Sequence, residues 1–196
     1  FLIKYRYEQT GEHGQLVLDA EFDERALGRE LKKSNIPVWA KERPDTLVWI
    51  VIEDTAGRRV VSRESESDQI GGVMSAQADT RGIPILFPTL STEELALLAK
   101  SKDWESLATD ALVLSKRYTT PSVMIGYIQQ TIPGFWDAWW EIRVDEESFS
   151  WRTEGDIVDL LVEGGVDVLG DALARRYAGT ALPSISDYFT LTVLGV

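Results

Sequence analysis

Residues 46–53, with the sequence TLVWIVIE, limit what this chain can fold into more than any other stretch. Apolar and β-forming residues follow one another almost without a break, over a length that is typical of a strand rather than a helix. Pro44 disfavours a helix immediately before the stretch, and residues 54–57 are typical of a turn after it. The pattern predicts a strand buried on both faces, so helices must cover it on either side.

The segments around this strand predict further strands and helices. An antiparallel strand pair is expected within residues 1–22, and RRVVS is expected to form a hairpin with the buried strand. The order strand, helix, strand predicts that ILFP runs parallel to the buried strand. SVMIGYIQQ, WDAWWEIRV and SFSWRT are typical of an antiparallel meander, and DYFTLTVLGV of a last strand. Helices are predicted over ELALLA and over residues 24–34, 69–81, 104–118 and 157–178.

Together these elements predict a single α/β domain over residues 1–196. Its mixed β-sheet is expected to have a parallel centre and an antiparallel meander, with helices packed on it. Helix starts have their own signals, since Asp23 can act as an N-cap, and Ser91 and Glu94 have capping-box spacing.

The last predicted helix carries an unusual pair of glycines in its middle, Gly164 and Gly165. Each glycine costs about 1 kcal/mol relative to alanine inside a helix. We interpret the pair as a sign that this helix approaches the sheet closely, with Ile157 at the start of its apolar face.

The charge and the residue types disfavour several classes of function. The 196 residues carry a formal charge of -12, so nucleic acid and anionic lipid are unfavourable partners. No apolar run approaches the roughly 20 residues of a membrane-spanning helix. Cysteine is absent, histidine occurs once, and neither a P-loop nor a nucleophile-elbow motif is present. The sequence therefore predicts no catalytic residues, no metal site and no cofactor.

Acidic residues are numerous, and two groups of them lie in predicted loops. Glu64, Glu66 and Asp68 form one group, and residues 145–147 form the other without the spacing of a calcium loop. We interpret both as solvated charge, and His13 as an exposed loop residue. A pair of carboxylates that works as in glycosidases stays open as an alternative.

Two sets of aromatic and arginine residues are candidates for binding. Alternation along WDAWWEIRV places Trp139 and Arg143 on the face opposite to Trp140. Trp139 is then either covered by a helix or exposed as a contact residue. The second set, Trp39 and Arg43, precedes the buried strand. Arg43 is expected either to pair with a carboxylate or cap backbone carbonyls, or to bind an anionic group.

Several stretches in a fixed order carry a family resemblance: IPVWAKERPDTLVWIVIED, ADTRGIPILFPTLSTEEL, DWESLATDALVLSKRYTTPSVMIGYI, the Trp-rich strand and ALARRYA. The chain resembles an uncharacterised family of exported proteobacterial proteins, the domain of unknown function numbered two thousand and sixty-six. The likeness runs from about Phe22 to the C-terminus, and W-x-x-x-R-P-x-x-L-V-W and R-G-[IL]-P-[IL]-L-x-P are its most distinctive parts. The sequence departs from it at residues 119–121, Thr-Thr-Pro, where a Gly-Ala-Asp-like turn is expected.

The resemblance implies a periplasmic or cell-envelope location and no assigned activity. The order of elements is also similar, at the level of fold alone, to the TolB amino-terminal domain and the lipoprotein activators of penicillin-binding proteins. Because the sequence starts at Phe1 in strand-like residues, we expect it to be an excised part of a longer exported protein.

These observations favour a non-catalytic envelope module that binds an envelope protein or a peptidoglycan-associated partner. The alternatives are a carboxylate-based hydrolase acting on an envelope glycan and a purely structural domain of a longer chain. The sequence leaves the partner, the substrate and the oligomeric state open.

Overall fold

The computed structural model describes residues 2–10, 15–34, 36, 38–39, 43–63, 69–178 and 189–194. The chain divides into two compact units, one formed by Phe1–Lys41 with Tyr177–Val196 and the other by Glu42–Arg176. The single-domain organisation stays a prediction. The elements in chain order are β1 (Leu2–Thr10), β2 (Gln15–Phe22), α1 (Glu24–Lys33), β3 (Thr46–Asp54), β4 (Gly57–Val61), α2 (Gln69–Arg81), β5 (Ile85–Leu86), α3 (Thr92–Lys100), α4 (Trp104–Ser115), β6 (Ser122–Ile132), β7 (Phe135–Val144), β8 (Glu147–Gly155), α5 (Val158–Tyr177) and β9 (Phe189–Leu194).

The smaller unit holds a three-stranded antiparallel sheet in the order β1-β2-β9. The predicted pairing of the first two strands is confirmed, and β9 adds to the far side of β2. Helix α1 follows β2 directly, and the Asp23 carboxylate accepts a hydrogen bond of 3.0 Å from the Ala26 amide. Asp23 is therefore the N-cap that the sequence predicts.

The larger unit is built on a six-stranded mixed sheet, which confirms the predicted fold class. Five strands lie in the order β4-β3-β6-β7-β8, and β5 pairs with the first residues of β3. β3 runs parallel to β5 and β6, while the other pairs are antiparallel. The apolar run of β3 is explained by this position, since residues 47–52 are 0% exposed and covered on both faces.

Helices α3 and α4 cover one face of the sheet over β3, β4 and β6. Leu47, Trp49 and Val51 point into this layer with residues of both helices. The buried indole N–H of Trp49 donates a 2.8 Å hydrogen bond to the Ser115 hydroxyl, so its polar atom is satisfied. The predicted capping box of α3 is confirmed.

Helix α5 covers the opposite face, with α2 alongside it. A Cβ atom at Gly165 would lie 3.0 Å from the ring of Trp140 on β7, whereas one at Gly164 would meet nothing within 4 Å. Close approach of α5 to the sheet is thus confirmed at Gly165 and wrong at Gly164. Gln77 of α2 donates a 2.7 Å hydrogen bond to Asp167 of α5, which joins the two helices.

Two helix boundaries differ from the predicted ones. α4 ends at Ser115 rather than about 118, because a turn from Tyr118 back to the Ser115 carbonyl follows and the Tyr118 ring packs edge-on against Trp49. α5 begins after Ile157, whose side chain is 52% exposed, so its predicted place on the apolar face is wrong. Leu161 instead packs at the start of α5, 3.5 Å from a Cβ position built on Gly155.

Candidate functional site

A cluster of polar side chains lies where β3 ends, beside β4 and β6. Glu53 is the last but one residue of β3, Arg58 comes from β4 and Tyr127 from β6. The Glu53 carboxylate accepts hydrogen bonds from the Arg58 guanidinium at 2.7 Å and from the Tyr127 hydroxyl at 2.8 Å. Arg58 also donates to the Tyr127 oxygen at 3.2 Å and to the Ser101 carbonyl at 2.5 Å. The carboxyl end of parallel strands, where this cluster lies, is the usual position of ligands in α/β sheets.

The electrostatics of this cluster favour an ionised carboxylate. The hydrogen bond from Tyr127, followed by those from Arg58 and its charge, lowers the pKa of Glu53 below the ordinary value for glutamate, against the effect of burial. Burial and the bond to Glu53 raise the pKa of the Tyr127 phenol. At neutral pH the site therefore holds a carboxylate anion, a neutral phenol and a guanidinium cation.

An aromatic and cationic ladder continues from this cluster across the sheet. The ring of Tyr127 stacks on that of Trp139 with centroids 5.5 Å apart and 28° between the planes. The guanidinium of Arg152, on β8, lies 5.0 Å above the Trp139 ring, and that of Arg58 lies 5.3 Å from the Tyr127 ring. Cation–π contacts of this kind contribute roughly 0.5–2 kcal/mol each, depending on exposure. Trp139 is half-buried, in contact with the helix-covered core on one side and below an exposed arginine on the other.

A buried carboxylate, Asp137, anchors the far end of the ladder. Its side chain accepts a 2.7 Å hydrogen bond from Arg152, while its other oxygen, Oδ1, is buried with no hydrogen-bond partner among the described residues. Strand pairing places Asp137 directly opposite Gln129 of β6 and Glu154 of β8. Opposed residues of adjacent strands share one face, so this row puts two carboxylates side by side.

The predicted binding residues lie in different surroundings. Trp139 belongs to the ladder, and Arg143 is 47% exposed further along the same strand, with its nearest carboxylate at 3.5 Å on Glu141. Arg43 donates hydrogen bonds to the backbone carbonyls of Arg81 and Gly82 at 2.7 and 2.5 Å, the backbone-capping contact that was one of its predicted alternatives. The side chain of Trp39 is half-buried and belongs to the smaller unit.

Sequence reasoning missed most of the residues of this cluster. Glu53, Arg58, Tyr127 and Asp137 were not among the predicted site residues. Tyr127 and Glu53 are 74 positions apart in the chain, and only the pairing of β3 with β6 brings them together. The one available signal was the charge pattern, because acidic and basic residues end otherwise apolar strands here.

The described ranges contain neither a candidate metal cluster nor a candidate membrane-spanning helix. There, no group of three or more His, Cys, Asp or Glu side chains could hold a metal ion. None of the helices described is both long and apolar enough to cross a membrane. His13 and the acidic residues Glu64, Glu66 and Asp68 lie outside the described residues.

Similarity to known proteins is found among solved structures and not among protein families or curated proteins. No protein-family model matches the sequence, and no curated protein matches it. Among solved structures, lipoprotein GNA1162 from Neisseria meningitidis aligns with 66% of this chain and 99% of its own chain, at 10% sequence identity and a TM-score of 0.35. The resemblance to the exported family of unknown function accordingly stays a prediction.

Proposed function

We propose that this chain is a non-catalytic accessory module of the cell envelope that binds a protein partner through the sheet face around Trp139 and Arg143. The observation that carries the proposal is the state of Trp139, half-buried under an exposed guanidinium at the border of the covered sheet. Beyond it, Ser148 and Ser150 of β8 are exposed on the same face. An aromatic residue surrounded by exposed polar groups is typical of protein interfaces.

The carboxylates nearest to Trp139 support binding rather than catalysis. Glu53 is bonded to Arg58 and Tyr127, and its lowered pKa makes it a poor general acid at neutral pH. Asp137 is paired with Arg152 in the same way. Arginine partners hold both groups in fixed positions, which suits a rigid surface better than a proton-transfer site.

The envelope location has its support in the family resemblance of the sequence. Exported proteins of that kind work in the periplasm, where accessory modules meet other envelope proteins. Within this proposal Arg43 has a structural role, since its guanidinium is bonded to two backbone carbonyls. Of the residues predicted for binding, Trp139 and Arg143 keep that role.

Crosslinking capture from proteobacterial envelope extracts tests the proposal. We expect the wild-type chain to capture a defined protein, and Trp139→Ala and Arg143→Glu to lose it by about tenfold or more. Arg143→Glu is the sharper variant because its side chain is exposed and its change should leave the fold intact. Arg29→Glu, an exposed charge reversal on α1, is the matched control and should keep the partner. Capture that survives Arg143→Glu and Trp139→Ala would refute the assigned surface.

A carboxylate-based hydrolase acting on an envelope glycan is the second candidate. It is favoured by the direct opposition of Asp137 and Glu154 across β7 and β8, since paired carboxylates about 5 Å apart are the arrangement of retaining glycosidases. The test is the release of reducing ends from purified peptidoglycan, compared with Glu154→Gln. Activity that disappears in this variant would replace the binding proposal with a catalytic one.

A further inference from the structure

We infer that β8 is the docking element, and that it accepts an extended, basic segment of the partner as an additional antiparallel strand. The inference rests on the proposed function and adds to it the mode of binding and the chemistry of the partner. Its basis is the open edge of the six-stranded sheet, the aromatic surface at that edge and the distribution of charge along it.

β8 forms a long, regular edge that lacks several of the features that usually protect one. It spans nine residues and pairs only with β7 among the described strands, continuously from Glu147 to Gly155 and without a register shift. Its sequence, ESFSWRTEG, contains neither proline nor lysine. Proline, lysine, bulges and short length are among the ways in which proteins prevent a further strand from pairing at an edge. Charged side chains are another, and β8 carries Glu147, Arg152 and Glu154. Within the described part of the larger unit, the outward backbone groups of β8 therefore have no strand partner.

The face of β8 opposite to Trp139 and Arg143 offers an apolar surface to such a strand, and a strand added at the edge would have side chains on both faces. The ring of Trp151 stacks on Trp140 of the buried core at 6.0 Å, and Phe149 stacks on Trp151 at 5.3 Å. Phe149 ends this row and is 50% exposed. Apolar side chains of an added strand, placed opposite Trp151 and Phe149, would extend the row and bury its exposed end.

Charge selects the partner. Both ends of β8 are acidic, with Glu146 and Glu147 exposed at the start and Glu154 and Asp156 at the finish. Among the described residues no ion pair is formed by these four, while Arg152 is already held by Asp137. Since the whole chain carries -12, a segment with basic residues at both ends complements this edge.

The same charges disfavour a second copy of this chain as the occupant. If two copies of β8 pair antiparallel over their full length, residue 147 lies opposite residue 155 and Trp151 lies opposite Trp151 of the other copy. This register places Glu146 opposite Asp156 of the other copy at both ends. Like charges directly opposite each other destabilise a strand pair.

The geometry fixes a simple probe peptide. In an antiparallel register its first residue lies opposite Glu154 and its eighth opposite Glu147, so both are lysine. Its fourth and sixth residues lie opposite Trp151 and Phe149, so both are valine, and threonine fills the rest as a good strand former. The probe is KTTVTVTK, with ETTVTVTE as the charge-reversed control. The control that cannot form a strand ladder is KTPVPVTK. The two-residue turn between Val144 and Glu147 directs the backbone groups of Phe149 and Trp151 toward β7, so the outward groups belong to Ser150 and Arg152, which face the fifth and third residues of the probe.

Titration of the full chain with these peptides, followed by NMR of backbone amides, tests the inference. It detects binding with dissociation constants up to the millimolar range. We expect saturable shifts and slower hydrogen exchange in residues 147–155 with the lysine probe, and binding weaker by about tenfold or more with either control. A response of equal size to a control peptide, shifts confined to other strands, or no saturable shift would each overturn the inference.

A protein variant separates this inference from the proposed function. Phe149→Lys places a charge on the exposed end of the aromatic row and should abolish binding of the probe, whereas Val113→Lys, at a similarly exposed position of α4, should not. An envelope partner that needs Trp139 and Arg143 but still binds Phe149→Lys would refute strand addition and leave the function intact. Binding of the probe at β8, with no envelope partner captured, would support strand addition and refute the proposed function.

Discussion

At one edge of the six-stranded sheet, β4 is five residues long, and its two arginines form ion pairs with carboxylates of β3. Arg58 Nη2 lies 2.5 Å from the Glu53 carboxylate, and Arg59 Nη1 lies 2.5 Å from that of Asp54. At the other edge, β8 is nine residues long and has a single arginine. The charged groups of the β4 edge are bonded within the sheet, so they are less available to a partner. Among the described residues, the second edge has no further strand partner, and four exposed carboxylates lie on it or next to it. From this difference we expect binding at the β8 edge and a larger contribution to stability at the β4 edge.

The largest effect that can test this contrast is expected from Arg58. Arg58→Ala removes a mostly buried guanidinium, 18% exposed, that bonds Glu53, Tyr127 and the Ser101 carbonyl. We expect a loss of about 2–3 kcal/mol in the free energy of unfolding, because a partly buried carboxylate loses its partner. The matched change Arg143→Ala, at an exposed arginine of β7, should cost no more than about 0.5 kcal/mol.

Urea unfolding of both variants, followed by fluorescence, supplies the two free energies. Equal losses for Arg58→Ala and Arg143→Ala would mean that the contacts of Arg58 at the β4 edge stabilise the sheet no more than an exposed arginine does.

The second-largest expected effect tests how closely helix α5 packs on the sheet at β7, the strand next to β8. Gly164→Ala adds a methyl group where nothing lies within 4 Å, so it should stabilise the chain by about 0.5–1 kcal/mol through helix propensity. Gly165→Ala adds the same group 3.0 Å from the buried ring of Trp140, which has no room to move. We expect its gain to be cancelled or reversed, which separates the two variants by about 1–2 kcal/mol.

Thermal unfolding midpoints of Gly164→Ala and Gly165→Ala measure this separation. A common midpoint would contradict the tight contact of α5 with β7 and would shift the boundary of the covered region.

The sequence predicts the covered part of the molecule better than the open part, and the reason is physical. An unbroken apolar run can be stable only between two layers, so TLVWIVIE predicts its own burial. Alternation likewise places Trp139 opposite to Trp140. The contacts of Glu53 with Tyr127 depend on which strands become neighbours and in which register, and side chains so far apart in sequence carry no local signal for this. The helix boundary at Ile157 was wrong because its burial depends on where α5 meets the sheet.

The smallest expected effect is on the stability at acidic pH, and it tests which neighbour lowers the pKa of Glu53 most. Its carboxylate stays ionised in the folded state at pH values where the unfolded chain binds a proton, because Tyr127 and then Arg58 lower its pKa. The unfolded state thus binds more protons, and stability rises with pH. This contribution is fully present above the ordinary glutamate pKa of about 4.3 and is lost as the pH falls through the lower folded value.

Tyr127→Phe removes the hydroxyl that contributes most to this lowering while it keeps the aromatic stack with Trp139. We expect the pKa of Glu53, measured from the NMR shift of its side-chain carbonyl carbon, to rise toward the ordinary value, and the acid-dependent loss of stability to begin at higher pH. The open edge provides the control, because the backbone amide shift of Glu154, exposed on β8 and outside the cluster, should be the same in both proteins at neutral pH. An unchanged Glu53 pKa would assign the lowering to Arg58 alone, and the closed edge would then depend on one ion pair rather than on a three-residue cluster.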